Sequence, residues 1–245
     1  MTGSGDREPE AWSVVAQNLP EHARNAIHTD AGARAAGFPG ALVAGVTTYA
    51  YLTHPLLGAW GLDWLAGGGC EMRFRSPVFA GDVVRCTPVP AGDDEVAIEA
   101  RVGDDDRARA VVRAWRNDHR PAPHRNGEPL PDYHVVLDGD YGPDYGVRAG
   151  DDLDVCPLAG VVHPAVWPAL ANNIFHQHLV RGPWIHTRSI VSHRGLARAG
   201  ADVTVQSTVV DRFSRSGERA IVDMTVHADG LLVAHIEHEA IVSLG

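Results

Sequence analysis

The sequence contains no lysine: all 21 of its basic residues are arginine. Chemistry that needs a primary amine is thereby excluded, including Schiff-base formation, a lysine general base and the Gly-Lys-Ser/Thr loop that cradles phosphates. Cysteine is scarce too. Cys70, Cys86 and Cys156 are odd in number, far apart and outside any Cys-x-x-Cys pattern, which argues against a disulfide framework or a zinc knuckle and leaves them as small buried hydrophobes. Long apolar runs are also missing: the most apolar stretch, residues 41–57, is interrupted by Gly45, Thr47, Thr48, Thr53 and His54 and falls short of a membrane span. The N-terminal segment carries Asp6, Glu8 and Glu10 and lacks the basic start and apolar run of a secretory signal, so a cytoplasmic location is expected. Positive charge is in deficit, with a net charge of −10, which disfavours a nucleic-acid partner. What is present, 44% hydrophobic and 21% charged residues over 245 positions, is the composition of a soluble globular protein with a substantial core.

Two stretches share one pattern. In the first, a strand around residues 12–18 and a loop with short helical content precede a helix over about 41–57, and four β-like segments follow at 70–78, 82–89, 95–102 and 107–115. Turns such as Ala91-Gly92-Asp93-Asp94 and Gly103-Asp104-Asp105-Asp106 separate them. Residues 118–132, with Pro121, Pro123, Gly127, Pro129 and Pro131, read as a linker. The pattern then repeats: a strand at 133–137, a Gly/Asp/Tyr-rich loop to 154, a helix over about 163–180, and strands at 184–192, 201–213, 218–227 and 231–244. A duplicated helix-then-meander unit implies an α+β fold in which two antiparallel sheets each wrap a central helix, with halves at 1–117 and 133–245; a single irregular α+β domain is the alternative.

The densest chemical signal is Asn25-Ala26-Ile27-His28-Thr29-Asp30, followed by Ala35-Ala36-Gly37-Phe38, Leu42-Val43-Ala44-Gly45 and Arg73-Phe74-Arg75-Ser76-Pro77-Val78-Phe79-Ala80-Gly81-Asp82. This resembles the MaoC-like acyl dehydratases and R-specific enoyl-CoA hydratases, whose signature runs Gly-Asp-x-Asn-Pro-x-His, then a small-residue turn ending in Gly-Phe, then a helix opening in a His-Gly-like pair. The resemblance covers residues 21 to about 90, and with the repeat it implies a double hotdog fold. It implies further that His28 is the acid/base, Asn25 the motif asparagine and Gly45 the helix-opening glycine whose N–H faces a thioester oxygen. Removing an α proton develops an enolate, which helix N-terminal donors stabilise while a group titrating near neutrality moves the proton.

The family's aspartate position is Ala23, and its glycine and proline positions are His22 and Ala26. Asp30, two residues beyond His28, is a candidate to orient the imidazole as an acidic group does in triads, or else caps the short helix that follows. The stretch His163-Pro164-Ala165-Val166-Trp167-Pro168 resembles the opening of the second helix in polyketide-synthase dehydratase domains, where the family's aspartate falls on Pro168. Asn172, Asn173 and His176 lie further along this helix, with 172 and 176 on one face, as are 173 and 176. They are candidates to line the cavity or, for the two asparagines, to lock the helix to its sheet; His163 is a substrate contact or a helix-start residue. Tyr49 on the first helix is a candidate tunnel residue or core. Arg73, Arg75, Arg181 and Arg188 are candidate phosphate clamps or solvated charges.

No metal is expected, because His176-x-His178 on a helix and His235-x-x-His238 in a strand both splay their rings, and no cofactor is expected. The partners expected are an acyl-CoA or acyl-carrier-protein thioester and, as an option, a second copy of the chain; no membrane is expected among them. The function implied is addition or elimination of water at a 2-enoyl/3-hydroxyacyl thioester. With both dyad carboxylates absent, a repurposed pocket for cyclisation, conjugate addition or isomerisation, or a non-catalytic acyl-binding protein, remains open.

Overall fold

The computed structural model describes residues 7–92, 95–105, 107–118, 125–139 and 141–243. Asp6, the turn residues Asp93, Asp94 and Asp106, the linker residues Pro121 and Pro123, and the strand end Leu244 lie outside the described residues.

Strand β1 (Trp12–Val15) turns Trp12 and Val14 inward and Ser13 and Val15 outward, the period of a strand on a sheet edge. Two 3-10 turns follow, Pro20–Arg24 and Ala26–His28, and then a short helix, α1 (Asp30–Ala35). Helix α2 (Gly45–Gly67) is apolar on nearly every side, with Tyr49, Tyr51, Leu52, Leu56 and Trp64 fully buried. A helix of that kind must be enclosed, and β2 (Gly69–Phe74), β3 (Val83–Pro90), β4 (Glu95–Val102) and β5 (Ala110–Trp115) all pack against it. It starts later and runs further than the sequence indicates, because Gly61 at φ 57° carries the chain through a break that glycine tolerates without a Cβ clash.

The second half repeats the plan. β6 (Glu128–Pro129), β7 (Tyr133–Val136), α3 (Tyr145–Ala149), α4 (Val155–Ala159) and α5 (Val166–His178) precede β8 (Ile185–His193), β9 (Asp202–Ser214), β10 (Glu218–Ala228) and β11 (Leu231–Ser243). The Gly/Asp/Tyr-rich stretch therefore holds one short helix, α3, and a second, α4, follows the stretch directly, each closed by a left-handed glycine, Gly150 and Gly160. The stretch read as linker is partly fixed as well: Glu128 pairs with Val209, and Arg125 bonds Asp223 and Glu237.

All strands pair antiparallel, and the two halves' sheets join edge to edge through β2 and β8, from Gly69↔Ser192 to Arg73↔Arg188, into one eleven-stranded sheet. Glu71 holds the seam, with Arg73 at 2.5 Å and Arg188 at 2.6 Å, and Arg188 reaches on to Glu237. The fold is thus α+β, a double hotdog whose two sheets, each curved about its own helix, are hydrogen-bonded together.

One irregularity positions the site. Between β8 and β11, Arg188 pairs with Glu239 and His186 with Ala240, leaving Thr187 as an extra residue. Such a bulge shifts the side-chain alternation by one position, so His186 and Ser189, three residues apart, are both buried. The three cysteines are buried thiols, and burial pushes those of Cys86 and Cys156 up to about 12. Among the described residues no helix is long and apolar enough to cross a membrane.

Candidate active site

His28 ends the second 3-10 turn, where Leu42 N–H bonds to Ile27 O at 3.0 Å and pins the turn to the segment entering α2. The ring Nδ1 lies 2.8 Å from the Leu42 carbonyl. A carbonyl only accepts, so Nδ1 carries the proton and Nε2 presents its lone pair. Among the described residues Nε2 has no hydrogen-bond partner. Burial lowers the His28 pKa, partly offset by the Leu42 carbonyl, so the ring is a neutral base at neutral pH.

His28 lines a cavity of about 280 Å³ between the halves, together with Asn25 and Gly45 from the first half and Asn172, Trp184 and His186 from the second. Helix α2 begins at its wall. Ala44 in the N-cap position has only a methyl group and makes no capping hydrogen bond, and among the described residues the N–H groups of Gly45 and Val46 have no partner. Position 45 is tightly packed: a Cβ there would stand 3.2 Å from His186 Nδ1 and 3.3 Å from the Phe74 ring, so those side chains would have to yield by a few tenths of an ångström.

The walls expose several polar atoms without partners. Asn25 donates Nδ2–H to Trp184 O at 2.9 Å, which fixes the amide so that Oδ1 is a free buried acceptor. Asn172 Oδ1, Trp184 Nε1 and His186 Nδ1 are likewise buried and unpaired. These four atoms around one cavity are available to a polar ligand. Among the described residues no aspartate or glutamate lines this cavity.

The sequence candidates separate into two groups. His28, Asn25, Gly45 and Asn172 meet in the cavity, and His176 joins Asn172 and His28 in an adjoining cleft with its Nδ1 unpaired. The others do not meet them. Asp30 faces solvent and accepts Ala41 N–H at 3.0 Å; the Leu42 carbonyl, not Asp30, orients His28, and the cap of α1 is Thr29, whose Oγ1 accepts Gly32 N–H at 3.2 Å. Tyr49 is core, its hydroxyl 3.2 Å from Cys70 Sγ. His163 is buried at the start of α5, accepting Ala165 N–H at 3.2 Å and stacking on Tyr145. Asn173 locks α5 to its surroundings, donating to Tyr133 Oη at 3.2 Å and accepting from Arg24. Of the arginines, Arg75 lines the cavity, exposed and without an ion pair among the described residues, whereas Arg73 and Arg188 serve the seam and Arg181 is not at the cavity.

Three features escaped the sequence reading. His22, in the family's glycine position, places Nε2 3.0 Å from Tyr145 Oη and packs edge-on to His28 at 6.1 Å; burial and the neighbouring His28 push its pKa to about 4. Trp184 and His186 sit in a segment legible only as a strand. Away from the cavity, His54 bonds Asp152 at 2.7 Å, and with Asp151 these groups' ligand atoms lie within 4.8 Å of one another.

No protein-family model matches the sequence, and no curated protein matches it. Solved structures do match in fold. A protein described as a MaoC domain dehydratase from Chloroflexus aurantiacus J-10-fl superposes at a TM-score of 0.67 with 12% identity, covering 98% of this chain and 97% of that one. A Mycobacterium tuberculosis protein described as having a double hotdog fold gives 0.66 and 11%, with 97% and 98% covered. A protein described as an oleoyl thioesterase from Lactobacillus plantarum gives 0.51 and 8%, with 96% and 97% covered. At these identities the likeness establishes the double hotdog fold of the whole chain, and the fold alone does not choose the reaction.

Proposed function

We propose that the chain is an acyl-thioester (de)hydratase of the MaoC type, acting on a 2-enoyl/3-hydroxyacyl thioester of coenzyme A or of a carrier protein. One observation carries this reading: a neutral imidazole, His28, with a free Nε2 lone pair in a cavity that also meets the uncapped start of α2. In the elimination direction Nε2 takes the C2 proton, and the electron pair moves onto the thioester oxygen beside the Gly45 and Val46 N–H groups. The Nε2–H so formed then protonates the departing 3-hydroxyl, releasing water and the 2-enoyl thioester; hydration is the reverse. One imidazole thus moves both protons, in keeping with a cavity that no carboxylate of the described residues lines. Asn25 Oδ1 and Asn172 Oδ1 are acceptors suited to hold the hydroxyl or the water, and Arg75 is suited to a phosphate of the carrier group.

Incubation with crotonyl-CoA and longer 2-enoyl-CoAs tests this directly. Loss of enoyl absorbance is expected, and no turnover at any chain length sinks the proposal. The missing carboxylate favours one second reading, a cyclisation, conjugate addition or double-bond shift in which positioning and one base suffice. Under that reading 2-enoyl-CoAs protect the chain against thermal unfolding without being hydrated.

A further inference from the structure

Behind the cavity wall contributed by the second half stands a line of three polar side chains that the mechanism above does not use. His186 Nε2 lies 2.8 Å from Ser189 Oγ, and Ser189 Oγ lies 2.8 Å from His238 Nδ1. His238 is opposite Ser189 in the β8–β11 register, and the two imidazoles stack at 4.1 Å and 26°. All three side chains are buried. Of the three, only His186 reaches the cavity, and its Nδ1 is the unpaired atom adjacent to Gly45 at the start of α2.

We propose that His186 is a second catalytic imidazole, donating Nδ1–H to the thioester carbonyl oxygen beside the first N–H groups of α2, with Ser189 and His238 as positioning residues. The proposal rests on the acyl-thioester reading of the cavity. Its geometry follows from counting protons. Burial pushes the His186 pKa down to about 3 and that of His238 well below its ordinary value, so each ring is neutral and carries one N–H. His238 Nε2 is buried without a partner. In this arrangement the His238 proton is on Nδ1, because His186 Nδ1 opens on the cavity, where a ligand oxygen can accept a proton, whereas His238 Nε2 does not reach the cavity. That N–H donates to Ser189 Oγ, the Ser189 hydroxyl donates to His186 Nε2, and the remaining proton of His186 is on Nδ1, aimed into the cavity.

Each bond in such a chain polarises the next. A neutral imidazole donor also suits an enolate oxygen, since it supplies a hydrogen bond without protonating the oxygen outright. No proton leaves His186 in the cycle: the C2 proton goes to His28 Nε2 and from there to the leaving hydroxyl.

A chromophoric thioester, 2,4-hexadienoyl-CoA, reports on this donor, because hydrogen bonds to its carbonyl oxygen shift its absorbance to longer wavelength. The wild type is expected to bind it with a red shift. His186→Phe is expected to bind it with most of that shift lost and to hydrate crotonyl-CoA about 100-fold more slowly. Ser189→Ala, which disturbs packing least, is expected to lose part of the shift and about tenfold in kcat, with KM within about twofold. Full red shift in both folded variants overturns the proposal while leaving the reaction intact. A His186-dependent red shift without hydration of crotonyl-CoA overturns the hydratase reading and supports the donor role; failure of the wild type to bind the thioester overturns both.

Discussion

Each half of the molecule starts its central helix without a side-chain cap, Ala44 before α2 and Ala165 before α5, yet the two starts have opposite fates. At α2 the first N–H groups open onto a cavity, and Gly45 there lies close against His186 and Phe74. At α5 the space is filled. His163 accepts the Ala165 N–H, Pro168 occupies the first turn with no N–H to satisfy, and the cleft beside His163 leaves no volume that a water could occupy. Gly146 packs so tightly there that a Cβ would fall 2.8 Å from the His163 ring. A duplicated framework therefore offers two anion-accepting helix ends, of which one is kept open and the other is built into the core.

The largest expected effect tests that contrast at its two histidines. His28→Ala is expected to lower crotonyl-CoA hydration by about 10²- to 10⁴-fold, the usual contribution of a general base. His163→Ala is expected to leave the rate per folded molecule within about twofold and to cost about 1–3 kcal/mol in urea denaturation, from the lost bond and the void it leaves. Equal loss of turnover in both variants would break the distinction. Next in size, Gly45→Val is expected to lower kcat/KM by about tenfold or more, since its side chain must displace the wall of the cavity where the thioester is held.

Acidification separates catalysis from stability. His28 works as the neutral base, so kcat/KM is expected to fall as the ring is protonated, with a midpoint below the ordinary histidine value of 6.5. His22 at about 4 and His186 and His193 at about 3 are depressed in the folded chain by burial, first of all. The unfolded chain then binds more protons than the folded one below 6.5, so stability is fully present above that pH and declines as pH falls toward about 3. A urea midpoint unchanged between pH 7 and 5 would contradict this. The smallest effect is expected at Asp30, which is exposed and away from the cavity: Asp30→Asn should leave turnover unchanged and stability within about 0.5 kcal/mol.

The helices and strands were legible because their residues follow the period of the element they form. Alternation in β1 and in the first part of β9 and the apolar run of α2 leave little choice. His28, Asn25 and Gly45 were legible through a motif that lies within one short stretch of chain. The opposite wall was not, since His186 belongs with Ser189 only through the bulge at Thr187, and strict alternation assigns positions 186 and 189 to opposite faces. Their link to His238 depends in addition on the β8–β11 register, which no local pattern encodes. Asp30 misled for the converse reason: closeness in sequence to His28 does not survive the turn into α1, which points the carboxylate to solvent. The joining of the sheets was hidden for want of any signature in β2 or β8 that distinguishes a seam from an edge.

That seam gives the chain the economy of a tethered pair. Parted from each other, β2 and β8 would each expose a row of unpaired backbone groups of the kind that recruits foreign strands. Carried on one polypeptide, β2 and β8 meet by intramolecular assembly, which does not depend on the protein's concentration and so competes well against pairing with foreign strands.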